Sequence, residues 1–376
     1  ELRLERERLQ LLLRERDQLL DAMVQELKQL KKRFATPRRT RLIEGGDHLL
    51  AEKAANQRPN AELQRRQALG ALPSDGRLLI QNDGQVKVVS PQLLGRLHLN
   101  EAVGLGDEPS PAQLILPIQP APRLLVLTAS GRMALLRWEF AGQQPGGLER
   151  FLPTALEGDP VVSLLRLPPA DDASSNARLS LGLLSTDGRF KRLPLDDVQE
   201  LSGRAATILK LKDGVSLLSA VICEDGGTVT LISDIGRVLC LPVQDDNLPL
   251  MGKLAQGPMT MRMLPGESLV GAVSQSAGGE DLLVGSRNGA LTRLSLSSLR
   301  RCKRGDLGEM AITLEGKGTG ADHLVSACSC ADLVGVVTSK GRHGRVITAD
   351  LAGSEDSTAL TLKTDEQLSQ LVPLLS

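Results

Sequence analysis

The chain has 376 residues, with 45 Lys/Arg balanced by 45 Asp/Glu and 41% hydrophobic residues, enough to bury a sizeable core. Four Phe, one Trp and no Tyr make that core aliphatic, and a single Trp, Trp138, excludes a WD-type propeller, which needs a Trp-Asp signature in most blades. Five scattered cysteines (Cys223, Cys240, Cys302, Cys328, Cys330) exclude a disulfide framework and read as reduced thiols of a cytoplasmic protein, while no apolar run approaches a membrane span.

Residues 1–34 hold neither Gly nor Pro and are rich in Leu, Arg, Glu, Gln and Lys, all strong helix formers. Leu9, Leu12, Leu13, Leu19, Leu20, Met23, Leu27 and Leu30 fall at steps suited to one helix face, so the segment is expected to pack against other helices as a coiled coil. Because the pattern is already under way at Glu1, the sequence is expected to start partway through a longer polypeptide. Thr36-Pro37 ends the helix, and Arg38-Arg39-Thr40-Arg41 follows as a basic run. Residues 1–70 carry 16 Lys/Arg against 11 Asp/Glu; beyond them the signs nearly cancel, so a polyanion surface requires basic residues to be sorted onto one rim. Residues 45–75 are polar and of mixed pattern, and read as a linker with a short helix near Ala61–Ala68.

From residue 76 a repeat sets in. An apolar run enters a turn at Gly84, Gly131, Gly188, Gly236, Gly289 and Gly341, at intervals of 47, 57, 48, 53 and 52 residues. Asp83-Gly84, Asp187-Gly188 and Asn288-Gly289 supply the positive φ that tight hairpins need. A second landmark keeps step: Gly95-Arg96, Glu149-Arg150, Gly203-Arg204, Gly252-Lys253 and Lys303-Arg304, at intervals of 54, 54, 49 and 51. About ten residues after each comes another turn, as in Leu156-Glu157-Gly158-Asp159 before Val161-Val162. One unit is therefore read as four short strands in two hairpins plus a longer connection. A unit of that size cannot bury both faces alone, whereas six arranged radially can; one large sandwich with irregular spacing is the alternative.

This order of parts resembles the C-terminal part of the A subunits of bacterial DNA gyrase and topoisomerase IV. The resemblance rests on Phe34-Ala35-Thr36-Pro37-Arg38-Arg39-Thr40, on strand–Gly–basic repeats such as Ser185-Thr186-Asp187-Gly188-Arg189-Phe190-Lys191-Arg192, and on the Gly-Arg landmarks. It implies an all-β six-bladed β-pinwheel, propeller-like, at 76–352, with the end of an N-terminal α-helical coiled-coil arm at 1–44 and a C-terminal tail at 353–376. It also implies double-stranded DNA bent around a basic rim. The partners it implies are the breakage–reunion domain upstream in the same polypeptide and an ATPase B subunit, with ATP and Mg²⁺ acting there and no cofactor in this chain. There is no Tyr to serve as the family's catalytic residue, so strand cleavage is expected to use residues upstream of Glu1. The first blade also departs from gyrase: where the Gln-Arg-Arg-Gly-Gly-Lys-Gly box is expected, the chain reads Leu94-Gly95-Arg96-Leu97-His98-Leu99-Asn100-Glu101-Ala102-Val103-Gly104.

The candidate DNA-binding residues form two sets. Lys87, Arg132, Arg189, Lys191, Arg192, Arg237, Arg293, Arg342 and Arg345 follow the turn glycines and recur at one place in successive blades. Arg96, Arg204, Lys253, Arg300, Arg301, Lys303 and Arg304 belong to the second landmark or adjoin it, and the last four form the densest basic cluster. Lys and Arg suit the task because neutralising phosphates releases counterions. For each residue, ordinary surface charge is the competing explanation. Gly316-Lys317-Gly318-Thr319-Gly320 lacks the spacing of a nucleotide loop and reads as a hairpin. Cys328-Ser329-Cys330 lacks a second ligand pair for zinc, and His48, His98, His323 and His343 show no partner spacing. A protein-binding propeller on a coiled-coil stalk is the alternative function.

Overall fold

The computed structural model describes residues 2–14, 16–34, 63–169, 176–201, 205–279, 281–316, 321–351 and 358–374, in two units, residues 1–62 and 63–376. In the first, helices span Leu2–Arg14 and Arg16–Phe34. Leu20, Met23, Val24, Leu27 and Leu30 stand exposed along the second helix, an apolar stripe at helical spacing. The Arg38-Arg39-Thr40-Arg41 run, the linker up to residue 62, Arg204, His48 and most of the Gly316–Gly320 loop lie outside the described residues.

The second unit opens with a short helix, 63–70, and continues as six antiparallel sheets. The central hairpins are Arg77–Gln81 with Gln85–Val89, Arg123–Thr128 with Arg132–Leu135, and Leu179–Ser185 with Phe190–Pro194. Thr228–Ser233 with Arg237–Pro242, Leu282–Ser286 with Ala290–Leu294, and Leu333–Thr338 with His343–Ile347 complete blades 1 to 6. The repeat thus yields the six-bladed, propeller-like arrangement its spacing predicts.

Every hairpin turns the same way. Each turn glycine has φ between +71° and +89° and donates its N–H to the carbonyl of the residue three positions earlier (Gln81, Thr128, Ser185, Ser233, Ser286, Thr338). That residue is polar and buried in all six blades. A third strand, such as Ala112–Pro117 or Leu269–Gln275, runs beside the first strand of its own hairpin, and its register slips by one residue near that buried polar position, as at a β-bulge.

The fourth strand corrects the expectation of two hairpins per unit. Each comes from the next blade along the chain: Gly146–Gly147 completes blade 1, Ala206–Thr207 blade 2, Glu309–Met310 blade 4 and Thr358–Ala359 blade 5. Blade 3 receives the irregular 250–259 segment, through bridges at Arg192↔Leu250 and Arg189↔Met259. Blade 1 donates Val103–Gly106 to blade 6, so the exchange closes into a ring. Turns such as that at Gly158 connect neighbouring sheets rather than two strands of one sheet. The expected tail at 353–376 is likewise corrected, because Thr358–Ala359 and Leu368–Pro373 are strands of blades 5 and 6.

The core lies between blades. Leu78 and Ile80 pack with Leu124 and Val126, and Leu125 and Leu127 with Leu181 and Leu183. Leu184 and Phe190 pack with Val229 and Leu231, Ile232 and Val238 with Leu282 and Val284, and Leu283 and Leu291 with Val334 and Val336. Because both faces of a blade are covered, its strands read as continuous apolar runs rather than alternating ones. Between blades 6 and 1 the buried set is smaller, with Leu79, Val89, Leu99 and Ala112 meeting the half-buried Leu374.

Candidate nucleic-acid interface

Four of the residues after the turn glycines, Arg189, Arg237, Arg342 and Arg345, reach toward the exchanged strand or the connection beside it. Arg342 donates Nη1 to Glu366 (2.7 Å) and Nη2 to the carbonyl of Leu105, in the strand blade 1 donates (2.6 Å). Arg237 pairs with Glu267 through Nε (2.8 Å), reaches the Arg262 carbonyl (2.9 Å) and also engages that of Leu307. Arg189 joins Asp187 (3.2 Å) to the carbonyl of Gly257 (2.9 Å). Arg345 donates to the carbonyls of Glu101 (2.9 Å) and His98 (3.3 Å). These cations latch one blade to the connection of the next.

Two further candidates lie deeper. Lys191 is fully buried, its Nζ donating to the carbonyls of Ile208 (2.7 Å), Gly252 (3.0 Å) and Lys253 (2.8 Å), and burial pulls its ammonium down to about 8. Arg192 is buried as well and holds Leu248 O (2.5 Å), Asp225 (2.6 Å) and Asp245 (2.6 Å). Lys191, Arg192, Arg237, Arg342 and Arg345 thus have donors engaged inside the fold, and turning them toward a phosphate would break these bonds. Arg293 is paired with Asp281 (2.8 Å) and Lys87 with Gln81 (3.1 Å). Arg132 and Arg189 are half-buried.

The carboxylates in these latches are tuned accordingly. The Thr338 hydroxyl, working against burial and joined by the Lys363 N–H and Arg342, holds Glu366 at about 2. Burial works against Glu267 and Asp159 too, but both stay below the usual carboxylate range. Arg237 and the Leu264 N–H hold the first; the Ser130 and Thr128 hydroxyls and Arg132 hold the second.

The second landmark behaves differently. Arg96, Arg300, Arg301, Lys303 and Arg304 are exposed and Lys253 is half-buried, and among the described residues their side chains make no hydrogen bond or ion pair. Their backbones are pinned. Arg300 N–H donates to Glu309 (2.6 Å), Lys303 N–H to Asp306 (3.0 Å) and Arg304 N–H to Asn247 (3.4 Å), while Arg301 bridges to Cys240. The cluster thus lies on the segment that blade 5 lends to blade 4, at the outer edge of that sheet, with its cationic tips unpaired. Its one cysteine, Cys302, is buried. Cys328 and Cys330 are buried free thiols, and burial pushes Cys328 up to about 12. Arg262 is an exposed cation that the turn-centred reading missed; it lies between landmarks, with Nε on the Gly305 carbonyl (2.6 Å).

No helix among the described residues is long and apolar enough to cross a membrane. The family model for the DNA gyrase C-terminal domain, a beta-propeller, matches residues 183–224 and 280–327. The A subunit of DNA topoisomerase 4 from Synechocystis sp. is 29% identical over 190 residues, which are 48% of this chain and 20% of that protein. The A subunit of DNA gyrase from Pseudomonas aeruginosa is 27% identical over 267 residues, 66% of this chain and 28% of that protein. The chain thus spans under a third of the length of these curated relatives. Among solved structures, a DNA gyrase A C-terminal domain superposes with a TM-score of 0.61 at 16% identity, covering 80% of this chain and 99% of that one. A topoisomerase IV C-terminal domain superposes at 0.62 and 13% identity, covering 80% and 93%. These two show the same fold.

Proposed function

We propose, from the premise that this chain is related to the A subunits of DNA gyrase and topoisomerase IV through its propeller, that it binds and bends duplex DNA along the outer edge of that propeller. It would guide the segment toward the DNA gate of a type II topoisomerase. The observation that carries this is the set of exposed, unpaired cations at Arg300, Arg301, Lys303 and Arg304, held by backbone hydrogen bonds at a sheet edge. Such tips neutralise phosphates without reading bases, so affinity would follow charge and duplex shape rather than sequence. Lys253 and Arg96 extend the track.

The sequence contains no Tyr, so a tyrosyl cleavage step is not assigned to these residues. A breakage–reunion domain, an ATP-hydrolysing B subunit and Mg²⁺ at the cleavage site would supply it, and a cytoplasmic, nucleoid-associated location goes with this reading. The exposed leucine stripe of the N-terminal helices suits pairing with helices of that breakage–reunion domain. With one Arg and no Gly-Gly-Lys between Leu94 and Gly104, DNA would be bent without strong chiral wrapping.

The test is duplex binding by the full chain as a function of salt. Replacing Arg300, Arg301 and Arg304 together by Ala should weaken binding alike on unrelated sequences and flatten the salt dependence, by about one unit of slope per lost phosphate contact. Unchanged affinity and slope would remove the track from this edge, and no binding by the unaltered chain at low salt would overturn the reading.

A further inference from the structure

After its hairpin, blade 2 forms two single turns of 3₁₀-helix, Trp138–Gly142 and Leu148–Phe151, on either side of the Gly146–Gly147 strand it lends to blade 1. Between the turns opens a cleft of about 220 Å³, lined by the apolar Phe140, Phe151 and Leu152 and by Arg137, Arg150 and Gln144. In a unit with only three Phe, two lie here. Among the described residues no carboxylate lines the cleft; the nearby Glu139 is buried, with Oε1 accepting from Arg65 and Oε2 without a partner among the described residues.

The two arginines differ from the latches. Arg137 is exposed, and its guanidinium has no hydrogen bond or ion pair among the described residues. Arg150 is exposed and gives one donor to Gln144, out of the five a guanidinium carries. The walls are fixed in advance. The Arg137 N–H donates to the Phe151 carbonyl (3.0 Å), joining the two turns, and the Trp138 indole donates to the Pro122 carbonyl (2.8 Å). A preformed site loses less entropy on binding.

We propose that this cleft docks an acidic protein segment bearing an apolar side chain, with its carboxylates on Arg137 and Arg150 and its apolar group against Phe140 and Leu152. Charge complementarity selects the occupant: two uncompensated cations flank an apolar floor, and carboxylate pairs with arginine in a charge-assisted, fork-like geometry. A duplex would meet the cations but leave the apolar floor uncovered. Phe151 is buried, so it offers no open face for a base to stack on. The cleft is separate from the Arg300–Arg304 edge, and the proposal stands independently of duplex binding there.

The test is fluorescence anisotropy of the full chain with a short labelled peptide containing Glu and Asp around a Leu-Phe pair, beside a control peptide with Lys for every acid. Saturable, salt-sensitive binding of the acidic peptide alone is expected, with about tenfold weaker binding for each guanidinium removed in R137A and R150A. Trp138 is the only Trp and is buried in the turn that carries Phe140 without lining the cleft, so unchanged intrinsic emission in each variant checks that this turn stays folded. Should R150A perturb the fold, R137E serves alone, since among the described residues the Arg137 guanidinium has no partner to lose. The Arg300/Arg301/Arg304 alanine variant should bind the peptide normally, and R137A should bind duplex normally. Absence of saturable binding, equal binding of the Lys peptide, or wild-type affinity in R137A and R137E would overturn the proposal. Tighter binding of a single-stranded oligonucleotide that displaces the peptide would reassign the cleft to nucleic acid.

Discussion

Lys191 has no exposed surface, and its three Nζ hydrogens meet three carbonyls at 2.7–3.0 Å. Removing one partner of a buried set costs more than the set contributes, because the groups left behind have lost water and gained nothing. Lys191→Met should therefore lower unfolding free energy by about 1–3 kcal/mol in denaturant titration while leaving the salt slope of duplex binding unchanged. A phosphate-contacting lysine would show the reverse. Glu366 gives a pH-dependent counterpart. Its carboxyl is held at about 2 against an ordinary 4.5, so the folded state binds fewer protons than the unfolded one between those values. Its stabilising contribution is complete above about pH 4.5 and is lost as pH falls toward 2. In acid titrations followed by circular dichroism, wild type should exceed Glu366→Gln in stability near neutrality, and the gap should close over that window.

The turn glycines serve the hairpin and its neighbour together. A Cβ on Gly236 would sit 2.3 Å from the Ile312 carbonyl, on the segment blade 5 lends, and the residue has φ +89°. Gly236→Ala should cost at least the roughly 1–2 kcal/mol of a left-handed non-glycine residue, and more once the lent segment is displaced, read as a lowered thermal midpoint. Gly214, also at positive φ but in open space, should show the backbone effect alone. Gly punctuation made the six turns legible in the sequence, because only that residue gives the φ without strain. The exchange of strands was not legible: Gly146–Gly147, Ala206–Thr207, Glu309–Met310 and Thr358–Ala359 are two residues long, too short to show any period. The same geometry turned Lys191, Arg192, Arg237, Arg342 and Arg345 to internal partners rather than to the rim. In a sheet open on one face, a cation amid apolar residues points to water; here both faces are covered, so Lys191 and Arg237 point into polar seams. A signal was present nonetheless, in the acids Asp159, Glu267 and Glu366 at the turns following the hairpins of blades 2, 4 and 6. The exposed cluster at Arg300–Arg304 was legible because four charges around one cysteine exceed what a seam can pair.

Across the whole propeller, stability is shared through borrowed strands, and its closure depends on Val103–Gly106 reaching blade 6. Arg342 and Arg345 hold that strand and the loop before it by the carbonyls of Leu105, Glu101 and His98, over the smallest of the interblade cores. Arg345→Ala should raise hydrogen exchange at residues 103–106 and 343–347 well before the Leu124–Thr128 strand responds, locating the first opening at this junction. Uniform exchange across all blades would show closure to be no weaker than the rest. The same topology imposes an order on synthesis. Blades can be finished in turn as the chain emerges, each waiting only for its successor, but Val103–Gly106 is made before blades 2 to 5 and its acceptor, His343–Ile347, after them. While blades 2 to 5 are made that edge has no partner, and nascent sheets with free edges are prone to pair wrongly. The lent strand is four residues long, two of them glycine, which makes it a poor template for a stranger while it waits for the ribosome to deliver the sixth blade.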